Sequence, residues 1–150
     1  MHRWFGDRLL DRALWMPNRG SLARAWLVGF PITVVPFLPG QSVLAAAAAL
    51  IVRGNLLLCI ALQFLSNPFT APVQLSACYF AGELAQGRTP SDVWRHVAET
   101  PLDLLTGDAV VSLYLGACVV GMLGGAVGYA LILGIWRDSR STRKRRSKFH

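Results

Sequence analysis

Asn67, Thr70 and Gln74 fall within eight residues of one another, interleaved with Pro68 and Pro72, in a stretch from Gly54 to Gly82 that carries no charge. Amide and hydroxyl side chains at a proline-broken helix can bind an anion, because the helix that restarts presents free N–H groups and a partial positive charge. The same chemistry recurs upstream, where Gln41 and Ser42 follow Pro39-Gly40. Between the two lie Arg53 and Asn55. A guanidinium can hold a phosphate or carboxylate with two parallel hydrogen bonds. Each residue also has a purely structural reading: Asn67, Thr70, Gln41 and Ser42 can cap broken backbone, and Arg53 can extend its head group to an interface. The substrate-binding candidates are therefore Gln41, Ser42, Arg53, Asn55, Asn67, Thr70 and Gln74.

Other chemistries find little footing. Cys59, Cys78 and Cys118 sit in apolar surroundings, and His2, His96 and His150 share no ligand spacing, so no metal site is expected. The uncharged runs hold no His or Asp to activate a nucleophile, so neither an enzyme nor a cofactor is expected. Glu83 only closes the second run, and a proton relay at depth has no acid to use.

The elements that must position these residues follow from the absence of charge. No Asp, Glu, Lys, Arg or His occurs in Ala25–Val52, Gly54–Gly82 or Ala109–Trp136, runs of 28, 29 and 28 residues. About 20 apolar residues cross a bilayer core of ~30 Å. The first run contains Pro31, Pro36 and Pro39-Gly40, which argue against one continuous helix, and an alanine-rich segment resumes at Val43. The second reads as helix over Asn55–Leu65, a break over Ser66–Pro72, and helix again over Val73–Ala85. Paired breaks of this kind mark transport sites in membrane proteins. The third run has no proline and carries Gly121, Gly124, Gly125 and Gly128, spaced for close helix packing. Residues 3–16 read as an amphipathic helix ended by Pro17-Asn18-Arg19-Gly20, with Ser21 as the next N-cap, and 91–105 as a second amphipathic segment.

The expected fold is all-α and integral to the membrane. It comprises an interfacial helix (1–20), a membrane domain of two proline-interrupted, re-entrant or broken units (21–87), a connecting segment (88–107), a glycine-rich transmembrane helix (108–136) and a basic tail (137–150). Charge is sorted accordingly: residues 1–24 carry +3, 83–108 carry −3 and 137–150 carry +6. Basic flanks stay in the cytoplasm, so both termini are expected inside, in a multi-pass protein of the bacterial inner membrane. An even number of crossings is then met most simply by a re-entrant first run and a broken, spanning second run; exchanging the two roles puts Arg53 outside, against the charge rule. The five Trp avoid the middles of the runs, as in an aromatic belt. The basic excess suits anionic lipid, and nucleic acid is not an expected partner.

Pro39-Gly40-Gln41, Arg53-Gly54-Asn55, Ser66-Asn67-Pro68-Phe69-Thr70-Ala71-Pro72 and Tyr79-x-x-Gly82 together resemble the bacterial membrane family of unknown function numbered twenty sixty-two. That resemblance covers about residues 25–87 and implies a prokaryotic membrane protein, in a family sometimes joined to glycosyltransferases, with no catalytic residues to carry over. The break-and-resume pattern is also similar to the re-entrant hairpins of DedA-type proteins. Two functions are compatible with all this. One is a small, oligomeric transporter of an anionic solute or lipid head group. The other is a non-transporting module that anchors or assists a membrane enzyme of envelope or glycan synthesis.

Overall fold

The computed structural model describes residues 12–99 and 107–146; most of the expected amphipathic helix at 3–16, and residues 100–105, lie outside them. Every element among the described residues is helical: α1 (Arg12–Trp15), α2 (Arg19–Val34), α3 (Gln41–Val52), α4 (Leu56–Gln63), α5 (Ala71–Ala85), α6 (Pro90–Glu99) and α7 (Gly107–Arg146). The first uncharged run thus breaks at 35–40 and the second at 64–70.

Two expectations about α2 need correction. Its N-cap is Asn18, not Ser21; the Asn18 side chain accepts from Ser21 N at 2.8 Å, and Ser21 Oγ in turn accepts from Asn18 N at 3.3 Å. This is a reciprocal capping box with Ser in the third position. Pro31 lies inside α2 rather than at its end. The ring deprives Leu27 O of its helical donor, but that carbonyl faces Gly125 of α7, where an added Cβ would stand only 3.2 Å away. A glycine helix pressed against the freed carbonyl lets the proline remain in a helix.

α2 and α3 form a hairpin. Phe37 (φ 54°) and Gly40 (φ 69°) turn the chain in the left-handed region, and α3 returns so that Gly54 meets Ala25. α4 then runs parallel to α2 with a constant offset of 34 residues. Asn55 N donates to Ser21 O at 2.9 Å, Cys59 Sγ to Ala25 O at 3.6 Å, and Gln63 Nε2 to Gly29 O at 3.5 Å. Leu14, Ala25, Ala45, Ala49, Leu56 and Cys59 form the core of this half.

The other half is α5 packed antiparallel on the start of α7, with Cys78, Tyr79, Leu113 and Ala117 buried between them and Val93 of α6 closing the side. α7 serves both halves. Near its start Gly116 sits on the Cys78 carbonyl and Ser112 on Gly82; further on Gly121 meets Pro31, Gly124 meets Phe30 and Gly128 meets Trp26. The glycine stripe is covered by the chain's own α2. Trp26, expected at a membrane interface, stacks on Phe30 at 5.3 Å and donates Nε1–H to Gly124 O at 3.0 Å.

Among the described residues one helix, Ala109–Ile135, is long and apolar enough to cross a membrane, and little of its apolar window is buried inside the chain. α7 does not stop at Trp136 but continues through the basic tail to Arg146, as Arg and Lys permit: they are good helix formers and favourable at a C-terminus.

Candidate functional site

The two breaks meet. Gln74, in the first turn of α5, donates Nε2–H to Thr33 O at 3.1 Å and Val34 O at 3.0 Å, the last carbonyls of α2. These carbonyls have no partner within their own helix, so one side chain closes the end of the first unit and ties it to the start of the second. Tyr114 Oη donates to Pro36 O at 3.1 Å and holds the first break to α7. Two cavities adjoin the junction. One, of about 240 Å³, is lined by Pro36, Phe37, Asn67, Pro68 and Gln74. The other, of about 340 Å³, is lined mainly by apolar groups, with Thr33, Thr70 and Gln74 as its polar members.

Within the second break the polar groups are engaged with one another. Asn67 Oδ1 accepts from Phe69 N at 2.9 Å and Thr70 N at 3.1 Å, while its Nδ2 donates to Phe64 O at 3.2 Å. Thr70 Oγ1 donates to Leu65 O and accepts from Asn67 N at 3.1 Å. At the start of α5, Ala71 N bonds Asn67 O, Gln74 N bonds Thr70 O, and Pro72 has no N–H. An anion arriving here finds few free donors and no cation among the lining residues.

The remaining sequence candidates are not gathered at this junction. Gln41 and Ser42 open α3, half-buried and exposed respectively. Arg53 and Asn55 lie at the opposite end of the hairpin. Arg53 terminates α3 in the left-handed conformation (φ 52°, ψ 42°), and its carbonyl accepts from Arg24 Nη2 at 2.8 Å. Asn55, buried, caps α4 by accepting from Leu58 N at 2.8 Å. Thirteen residues of α2 separate Ser21, beside Asn55, from Val34, beside Gln74. At 1.5 Å per residue that is about 20 Å.

The structure adds a polar cluster that sequence reading passed over. Glu83, 2% exposed, stands at the end of α5 against α7. Ser112 Oγ donates to Glu83 Oε1 at 2.5 Å and accepts from Gln86 Nε2 at 2.6 Å. Arg88 Nη1 lies 2.6 Å from Glu83 Oε2, an ion pair by distance without the alignment of a hydrogen bond. Tyr79, one turn earlier on α5, lies within electrostatic reach of the same carboxylate. The available signal was Tyr79 four residues before the first acid to follow Asp11, a spacing that shares one helix face. Gln63 was likewise missed: it is buried beside Thr33, and its Nε2 donates to Cys59 O at 2.9 Å. Among the described residues no group of His, Cys, Asp and Glu is arranged to hold a metal.

The model of a protein family described as "Uncharacterized protein conserved in bacteria (DUF2062)" matches residues 2–145. No curated protein and no solved structure matches the chain with significance.

Proposed function

The chain belongs to the DUF2062 family of bacterial proteins, and from that premise we propose that it is a multi-pass membrane protein which passes an anionic solute or lipid head group along its paired helix breaks. The contact of Gln74 with the end of α2 carries this reading, because it joins two interrupted helices at one depth. Within a membrane, helix lengths favour a re-entrant first unit. α3 has 12 residues and reaches about 18 Å, and the uncharged part of α2, Ala25–Val34, about 15 Å. Neither crosses a ~30 Å core, so α2–α3 enters and leaves by the same face. α4, its break and α5 continue in one direction and cross, and α7 returns. Both termini are then cytoplasmic and α6 lies outside. No catalytic chemistry is assigned to the chain.

A second reading has its own support. The break donors are engaged within the protein, as in a module that shapes the membrane around a partner enzyme without moving a solute. Two experiments separate these possibilities. Cysteine labelling at Ser91→Cys and Ser141→Cys should report opposite faces; labelling of both from outside rejects the topology. Purified protein in liposomes should then accelerate anion or lipid movement, and Gln74→Leu should reduce the rate. Flux equal to empty liposomes for phosphate, carboxylates and phospholipids alike leaves the accessory module.

A further inference from the structure

The breaks contain no cation, yet the half of the molecule built from α1–α4 is strongly basic. From Arg12 to Gly82 the chain has four arginines and no acidic residue. Three of them, Arg19, Arg24 and Arg53, lie where α2 begins and α3 ends. Arg24 folds back over Gly20, where an added Cβ would stand 3.2 Å from Nη1. Nη2 of Arg24 reaches across to the Arg53 carbonyl at 2.8 Å. Nε of Arg24 and Nε of Arg19 are both buried without a hydrogen-bond partner, which is costly for a charged donor. Arg53 is exposed and holds a left-handed backbone conformation at which glycine would be cheaper. Orphaned guanidinium donors and a non-glycine residue in this conformation, at one end of one hairpin, are signs of a ligand.

We propose that Arg19, Arg24 and Arg53 form a binding site for the phosphate of an anionic lipid head group. Guanidinium groups match phosphate oxygens in pairs. Arg24 is already oriented by the Arg53 carbonyl through Nη2, which leaves Nη1 to turn toward the ligand. Under the membrane reading, on which this site rests for its choice of a lipid, the base of the hairpin lies at head-group depth, about 20 Å from the breaks. Anionic recognition thus belongs to the base of the hairpin, and the junction at Gln74 remains neutral.

The test uses the full chain in neutral detergent, followed by thermal unfolding as phosphatidic acid is titrated in, with phosphatidylcholine and inorganic phosphate in parallel. Phosphatidic acid should raise the melting temperature and phosphatidylcholine should not. Arg53→Gln, on an exposed side chain, and Arg19→Gln should each weaken the response about tenfold, the loss expected for one hydrogen bond to a charged group. Arg24→Lys should weaken it as well, while Asn67→Ala should leave it unchanged. Wild type without a shift overturns the site, and so does a full response in Arg53→Gln and Arg19→Gln. An equal shift with inorganic phosphate overturns the lipid assignment. Loss in Asn67→Ala with retention in the arginine variants moves the anion to the breaks. None of these readouts depends on flux, so a failed transport assay and a failed site are distinguishable.

Discussion

The two ends of the molecule handle charge in opposite ways. At the α5–α7 end a carboxylate is fully buried, and Ser112 and Arg88 answer it. At the base of the α2–α3 hairpin three arginines gather with no acid on α1–α4, and two of their nitrogens stay unanswered. Glu83 meets Ser112 and the Arg88 guanidinium inside the protein, with Oε2 held by charge alone, and so fixes a helix crossing. Guanidinium charge that no carboxylate of α1–α4 neutralises is left for something outside the protein. The helix crossings differ too: at the Glu83 end backbone rests directly on backbone, whereas along α2 Gly124 and Gly128 receive side chains and Gly121 and Gly125 meet backbone at a greater distance.

The largest effect should come from the crossing beside Glu83. A Cβ on Gly116 would coincide with the Cys78 carbonyl, a backbone atom that cannot rotate away. Gly116→Ala should therefore destabilise by about 3 kcal/mol or more, at or beyond the upper range for overpacking. At Gly121 the nearest atom would be Pro31 Cα at 3.0 Å, and at Gly125 Leu27 O at 3.2 Å, so Gly125→Ala should cost roughly 1 kcal/mol. Thermal unfolding in detergent compares them; equal losses would mean that the two crossings are alike.

Next comes the carboxylate itself. Glu83→Ala leaves the Ser112 hydroxyl without its acceptor and should cost roughly 1–3 kcal/mol. Arg88 is 56% exposed, so water can solvate it once its partner is gone; the loss should stay below that for a pair buried on both sides. Glu83→Gln keeps an acceptor for Ser112 and should recover part of the stability. If Glu83→Ala unfolds at the wild-type temperature, the cluster does not fix the crossing. Smaller again is Asn55→Ala, which removes the buried cap of α4 and should cost about 1 kcal/mol.

How far the sequence displayed this arrangement depends on range. Local chemistry was legible. Proline placement and charge gaps located both breaks to within a few residues, because they act on the backbone nearby. Pro31 escaped, since what keeps it helical is Gly125, 94 positions away. The glycine stripe announced close packing but not its partner, which is α2 of the same chain. The junction residues Asn67, Thr70 and Gln74 could be picked out by type. That Gln74 reaches the Thr33 and Val34 carbonyls needed the fold, and so did the distance that separates Arg53 from the breaks. Glu83 was visible as a boundary of an uncharged run; its burial depends on Ser112 and Arg88 being brought to it.

Arg53 gives the smallest stability effect and the sharpest contrast between the ends. Its left-handed conformation costs an L-residue about 1–2 kcal/mol relative to the ordinary helical region, and glycine is the usual occupant after a helix end. Arg53→Gly should relieve that strain. Part of the gain is offset because glycine also frees the unfolded chain. The net result should be a stabilisation of roughly 0.5 kcal/mol, or a melting temperature about 1–2 °C higher. The carbonyl that accepts from Arg24 belongs to the backbone and survives the change, so the hairpin base should keep its shape. If Arg53 is there for a phosphate, the same variant should respond more weakly to phosphatidic acid even as it becomes more stable. At Glu83 the two effects cannot separate in this way, because its side chain is bound only within the protein. A variant that is both more stable and fully responsive would show that the arginine in this turn contributes nothing to the ligand, and the contrast between the two ends would reduce to packing alone.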